Sequence, residues 1–204
     1  MTAEEERAIW KKVRRGNASA FETVAVEYER MLYTIALRML ASPEDAADAV
    51  QETLLKAWTA RKSFRGESKL STWLCRILNN ACIDQLRRRR DTEPLTLSGA
   101  DGEETEREIP DESFDPALLV EREELRSRVR EAVGALPPEF RGPLLLREFG
   151  GLRYDEIAET LSLEVNTVRT RIFRARKRLC ALLAEDGNFS DKGPSDQERG
   201  GERP

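Results

Sequence analysis

The sequence predicts an all-α protein built as two small helical domains joined by a flexible acidic linker. Three observations carry this. Apolar residues recur at spacings of three and four in one segment after another, and no β-branched run alternates at period two. Charged residues make up 35% of the chain, which suits helices with solvated faces. Between two such helical stretches, residues 91–115 lose all periodicity and set Pro94, Ser98, Gly99, Gly102 and Pro110 among ten acids and one arginine. The expected organisation is a first domain over 5–90, a linker over 91–115, a second domain over 116–184 and a disordered tail over 185–204. A hydrophobic content of 39% supports modest cores of this kind, and not one large core.

In order, residues 4–15 read as a helix with Ala8, Ile9 and Val13 apolar, stopped by Gly16 and Asn17. Ala18 to Ala41 gives a long periodic helix through Phe21, Val24, Tyr28, Leu32, Ile35 and Met39. Ser42 then serves as N-cap, with Pro43 at the first helical position and Glu44 and Asp45 in the first turn. That helix runs to about Ala60. It turns Ala46, Ala49, Val50, Leu54 and Ala57 inward and shows Asp45, Asp48, Gln51, Glu52 and Lys56 on its other side.

A polar loop of Ser63, Phe64, Arg65, Gly66, Glu67, Ser68 and Lys69 precedes the next helix, which is expected to start near the N-cap type Ser71. Stepping at 100° per residue puts Leu74, Ile77, Leu78 and Ala81 on one stripe. Trp73, Arg76, Asn80 and Arg87 fall on another. An aromatic, a guanidinium and an amide on one stripe can stack on a base, hold phosphate and read a base edge. The competing reading is a core helix with a solvated basic end and Trp73 half buried.

Beyond the linker, Ala117 to Ala135 is helical and Leu136-Pro137-Pro138 breaks it. Glu139 to Phe149 makes a short helix with Leu144, Leu145 and Phe149 apolar, ended by Gly150-Gly151. Tyr154 to Leu161, a tight turn at Ser162-Leu163-Glu164, and a last helix from about Val165 make a helix-turn-helix. On that last helix Val168, Ile172, Ala175, Leu179 and Leu182 form the core stripe. Thr170, Phe173, Arg174 and Lys177 point the opposite way, flanked by Arg169, Arg171, Arg176 and Arg178. Arginine can grip guanine bidentately, and Thr and Phe can touch thymine methyls. The same pattern also fits a basic amphipathic helix with no groove partner.

Net charge is only −4, yet its distribution is uneven. Residues 61–90 hold nine Lys/Arg against two Asp/Glu, a net of +7. Residues 162–183 hold six against Glu164, a net of +5. The linker between them carries −9.

Phe64-Arg65-Gly66-Glu67-Ser68, Ser71-Thr72-Trp73-Leu74, Arg76-Ile77 and Asn80 together resemble region 2 of the extracytoplasmic-function (ECF) sigma factors, small members of the sigma-70 family. Asp45 through Trp58 resembles that family's polymerase-clamp-binding helix. Leu136-Pro137, Leu146-Arg147-Glu148, Tyr154-Asp155-Glu156-Ile157-Ala158 and Thr167 through Arg176 resemble its region 4. The resemblance implies an alternative sigma factor that catalyses nothing and gives core RNA polymerase its promoter choice. It implies −10 DNA contacts by Ser63 to Lys69, Trp73, Arg76 and Asn80, and −35 contacts by Arg147, Arg169, Thr170, Phe173, Arg174 and Lys177. It further implies docking of Asp45, Asp48, Gln51, Glu52 and Lys56 on the β′ clamp, with the β flap, promoter DNA and an anti-sigma factor as partners and a cytoplasmic location. Cys75 stands where the family usually has an aromatic.

Other classes fare worse. Without histidine no Ser/His/Asp set exists, and no Gly-rich phosphate loop is present, so no cofactor or small-molecule substrate is expected. Cys75, Cys82 and Cys180 read as reduced thiols and not as a metal site. No apolar run approaches the ~18–20 residues of a membrane span, and no signal peptide is seen. The main rival is a helix-turn-helix regulator with an N-terminal sensor domain, which has no reason to carry the 45–80 patterns. Because the linker relaxes to about 25–30 Å as a coil, the two domains are expected to be loosely held relative to each other.

Overall fold

The computed structural model describes residues 1–92 and 116–185. Among the described residues there are eight helices and no strand. They are α1 (Ala3–Arg14), α2 (Ala18–Leu40), α3 (Pro43–Thr59), α4 (Leu70–Thr92), α5 (Pro116–Gly134), α6 (Pro138–Glu148), α7 (Tyr154–Leu161) and α8 (Val165–Glu185). The expected linker, from residue 93 on, and the expected tail, from 186 on, lie outside the described residues.

Local chemistry starts and stops these helices. Thr2 and Glu5 close a reciprocal capping box on α1, which holds the Glu5 carboxyl below its ordinary range. Asn17 accepts from the Ala20 N–H at 2.9 Å to open α2, and Ala41 ends it in the left-handed conformation at φ 54°. Ser42 caps α3 as expected, with Pro43 at its first position. The start of α4 differs from the expectation at Ser71. The Lys69 carbonyl accepts the first bond, from the Trp73 N–H at 3.2 Å, and the Leu70 N–H donates to Glu6 Oε1 at 3.2 Å. A carboxylate from α1 therefore satisfies an orphan donor that a local cap would otherwise take.

The first unit, α1 to α4, packs around Leu32, Ile35, Met39, Leu74 and Leu78, all essentially solvent-free. Alanines at 46, 49 and 57 let α3 lie close against this core. Each buried Leu or Ile contributes about 1.5–3 kcal/mol relative to exposure. On α1 the expected stripe is corrected: Ala8 is exposed, and Trp10 joins Val13 in the core. The second unit, α5 to α8, closes around Leu145, Leu146, Leu152, Ile157, Val168 and Ile172.

The two units pack directly on each other, α4 against α7 and α2 against α6. This corrects the expectation of loosely held domains. Arg141 on α6 donates to the Met39 carbonyl of α2 at 2.8 Å. It also donates to the Leu136 carbonyl at 2.8 Å and to the Gly134 carbonyl of its own unit. Burial pulls the Arg141 pKa down from its ordinary value, but a guanidinium stays charged. It lies at the last turn of α2, where a cation offsets the helix dipole. Beside it Gly142 faces α4 so closely that a Cβ would sit 3.6 Å from Asn79 Oδ1. Arg38 of α2 also lies 4.5 Å from the Phe149 ring centroid. Helical periodicity reports which face of one helix is apolar, and it is blind to such contacts between faces.

Glycines differ sharply in what they permit. A Cβ on Gly150 would meet the Leu146 carbonyl oxygen at 2.7 Å and Leu152 Cδ1 at 2.9 Å, whereas at Gly134 nothing lies within 4 Å. Gly150→Ala is expected to lower stability by about 1–3 kcal/mol. Gly134→Ala is expected to be neutral, or to stabilise by up to about 1 kcal/mol. Urea unfolding followed by circular dichroism distinguishes the two, and equal midpoints would contradict this packing.

Candidate nucleic-acid interface

Helix α8 carries the second unit's basic surface. Val168, Ile172 and Ala175 are buried against α6 and α7, which leaves Arg169, Thr170, Phe173, Arg174 and Lys177 exposed. Phe173 is 69% exposed, although nothing in the charge pattern calls for an aromatic in water. Thr170 Oγ1 donates to the Asn166 carbonyl at 2.8 Å, so its methyl is the part presented outward. Arg147 and Arg169 converge on one ring: their guanidinium carbons lie 5.1 and 5.8 Å from the Tyr154 centroid. Arg147 also donates to the Leu152 carbonyl at 2.9 Å, which fixes it at the α6–α7 junction. Arg176 and Arg178 turn away from this face. Arg176 pairs with Glu148 at 2.7 Å, and Arg178 stacks on Phe140 at 4.8 Å.

In the first unit, Ser63, Arg65, Gly66, Glu67, Lys69, Arg76 and Asn80 are exposed and Ser68 is half-buried. Gly66 takes φ +80°, a conformation that lets the loop turn over α4 and that L side chains rarely adopt. Ser63 Oγ donates to the Ala60 carbonyl at 2.7 Å and anchors the loop's first residue. Trp73 departs from the expected DNA-facing stripe. It is 6% exposed and stacks edge-on against Trp10, centroids 5.4 Å apart. Phe64 joins the same cluster, 5.4 Å from Trp10 and 5.2 Å from Trp73. Helix α1 covers this end of α4, so the face that periodicity leaves polar is partly core. Arg76 and Asn80 remain outward, and Trp73 and Phe64 form the floor beneath the loop.

Helix α3 exposes Asp48, Gln51 and Lys56 and half-buries Glu52, which pairs with Lys56 at 2.6 Å. Asp45 is different: it is ion-paired with Arg89 of α4. Arg89 also donates to the Leu40 carbonyl at 2.9 Å, so this pair ties the α2–α3 corner to α4. Leu55 was absent from the expected surface and is 68% exposed beside Gln51 and Lys56. It belongs to the outward arc of α3, and its apolar type hid it among core candidates.

Two further acids matter that sequence reasoning missed. Glu6 joins α1, α2 and α4 by accepting from Tyr28 as well as from Leu70, and burial together with this carboxylate pushes the Tyr28 phenol well above its ordinary range. Glu156 is 8% exposed, and its Oε1 lies 3.5 Å from Lys69 Nζ of the first unit. Among the described residues no group of three or more His, Cys, Asp and Glu side chains is placed to hold a metal ion. No described helix is long and apolar enough to cross a membrane.

The three thiols separate by environment. Burial pushes Cys75 and Cys82 up to about 12, while Cys180 is exposed. At pH 8 the native protein should react with one equivalent of a thiol reagent, and with three only after denaturation. Rapid native modification of all three would contradict the burial of α4. Trp73→Ala should cost about 3–5 kcal/mol of stability as a truncated core aromatic. Arg76→Ala should leave the thermal midpoint near wild type, and equal losses in the two variants would put Trp73 on the surface.

Comparison with known proteins follows this geometry. Residues 24–92 match the sigma-70 region 2 family model, and residues 126–179 match the model for sigma-70 region 4. The RNA polymerase sigma-H factor of Pseudomonas aeruginosa is 34% identical over 187 residues, covering 90% of this chain and 96% of that protein. The ECF RNA polymerase sigma-E factor of Salmonella typhimurium is 35% identical over 177 residues, covering 85% and 92%. Among solved structures, CnrH in complex with the cytosolic domain of CnrY superposes with a TM-score of 0.66 at 28% identity, over 89% of this chain and 98% of that one. The sigma factor RpoE of Bartonella quintana, in complex with the anti-sigma factor NepR, gives 0.65 at 25%, over 81% and 98%. With both regions matched and relatives of this similarity spanning nearly the whole chain, the protein belongs to the sigma-70 family as an ECF sigma factor.

Proposed function

We propose that this chain works as an alternative sigma subunit that docks on core RNA polymerase through α3 and directs it to promoters through two DNA surfaces. The observation that carries the docking half is the outward arc of α3. Asp48 and Gln51 are exposed there together with Leu55, 68% in water. A merely solvated helix face has no use for that leucine, whereas a protein partner covers it and reads the surrounding charges. In this reading Asp48, Gln51, Glu52 and Lys56 contact the polymerase clamp, and Asp45 holds the corner of α3 through Arg89.

The loop from Ser63 to Lys69, with Arg76 and Asn80, takes the −10 element. Phe64 and Trp73 act beneath that loop by fixing its floor. Helix α8 enters the major groove of the −35 element with Arg169, Thr170, Phe173, Arg174 and Lys177, and Arg147 supports it from α6. The region 4 unit also meets the polymerase flap. The chain carries out no bond chemistry of its own. It acts in the cytoplasm, where the polymerase is, and an anti-sigma factor is a natural regulator, as the RpoE–NepR pair illustrates.

Reversal of Asp48 and Glu52 to lysine should weaken assembly with core polymerase while circular dichroism stays unchanged. Normal assembly by this double variant would remove α3 from the interface. Arg174→Ala should weaken binding to −35 duplex by about 1–3 kcal/mol and relax specificity at one base pair. An unchanged duplex affinity would mean that α8 does not read the groove.

A further inference from the structure

We propose that α7 is a built-in gate over the loop at residues 63–69, closed in the free chain and opened when the two units are drawn apart. This rests on the reading above that the loop faces promoter DNA. The loop and α7 look at each other across a cleft of about 850 Å³, floored by Trp10 and Phe64. From α7 the cleft receives Asp155, Glu156 and Glu159, and from the loop Arg65 and Lys69. Glu156 is held rigidly. Its Oε2 accepts from the Arg153 N–H at 2.7 Å while its Oε1 lies 3.5 Å from Lys69 Nζ. One carboxylate thus caps α7 and neutralises a loop cation. A DNA strand entering the cleft would have to displace that pair and bring its phosphates within a Debye length, about 8 Å, of the α7 acids. Arg153 on the same wall offsets only part of their charge.

The closure is anchored away from the loop. Arg141 reaches across to the Met39 carbonyl, and Gly142 packs against Asn79. Asn80 opens onto a second cleft, of about 710 Å³, walled by α6 and by Leu161 and Leu163 at the α7–α8 turn. The −10 surface of α4 therefore lies along the seam between the units. The other two surfaces do not: Asp48 and Gln51 on α3, and Phe173, Arg174 and Lys177 on α8, stay exposed in the closed form. The free chain thus offers its docking and duplex-reading faces while its strand-opening loop is guarded. A partner that binds the units in a separated arrangement shifts the population toward the open form and uncovers the loop.

The test uses the full-length free chain, a labelled mixed-sequence single strand and a labelled mixed-sequence duplex. Gly142→Leu places a bulky side chain against Asn79, and Gly142→Ala, whose Cβ fits at 3.6 Å, is its control. Glu156→Gln keeps an amide oxygen for the Arg153 cap and removes the charge facing Lys69. Gly142→Leu should raise single-strand affinity about tenfold and enlarge the radius of gyration in small-angle X-ray scattering. Gly142→Ala should change neither. Glu156→Gln should raise single-strand affinity about two- to fivefold, and duplex affinity should stay level throughout. An expanded Gly142→Leu chain that binds single strands no better than wild type overturns the gate. If that chain still assembles with core polymerase, the sigma reading stands without it; failure of the wild type itself to assemble overturns both. Should Gly142→Leu not fold, unchanged single-strand affinity in Glu156→Gln overturns the gate alone.

Discussion

What α4 must bury places every other element. Its inner face, Leu74, Leu78 and Ala81, is solvent-free against α2 and α3. Its first turn puts Trp73 under α1, where Trp10 and Phe64 close an aromatic cluster. Its remaining flank, at Asn79, meets Gly142 of the second unit. One helix thus supplies a core, the floor of a loop and half of a seam. The DNA-facing residues are what is left over: Arg76 and Asn80, with the loop held above. A rigid floor suits a loop whose task is to receive an unstacked base, because ordering it in advance lowers the entropy lost on binding.

Much of this was legible in the sequence. Ser42-Pro43, Asn17 and the Ser162 turn mark helix ends through local hydrogen bonds and steric limits, which a sequence shows directly. The stripe Val168, Ile172, Ala175 lies buried, and its opposite, Phe173, Arg174 and Lys177, faces water. Where reading failed, the cause was tertiary. Trp73 sits at a polar angle of α4, yet α1 covers it, and Ala8 yields its core place to Trp10. Asp45 belongs to the acidic arc of α3 by spacing and is taken by Arg89 in space. Leu55 is the reverse case, an apolar residue that spacing places outside and residue type places inside.

The seam between the units was the least legible feature. Its parts are an arginine that seeks backbone carbonyls, a glycine chosen for what it lacks, and a buried Glu156 whose partner lies in the other unit. None leaves a periodic trace. Together they turn a pair of DNA-reading domains into a molecule with a closed form, in which the −35 surface is open and the −10 loop is not. Arg141 illustrates the energetics. Its charge is drawn from water, and three carbonyls at helix ends compensate by supplying acceptors that would otherwise go unpaired.

The central claim is that this chain confers promoter choice on a polymerase that lacks it. Run-off transcription on fragmented genomic DNA, with core RNA polymerase alone and with the chain added, addresses it most directly. Discrete transcripts should appear only with the chain present, each starting a fixed distance downstream of a shared pair of sequence elements. Transcripts that do not depend on the chain, together with tight duplex binding by the chain alone, would contradict the account and make it a regulator acting without the polymerase.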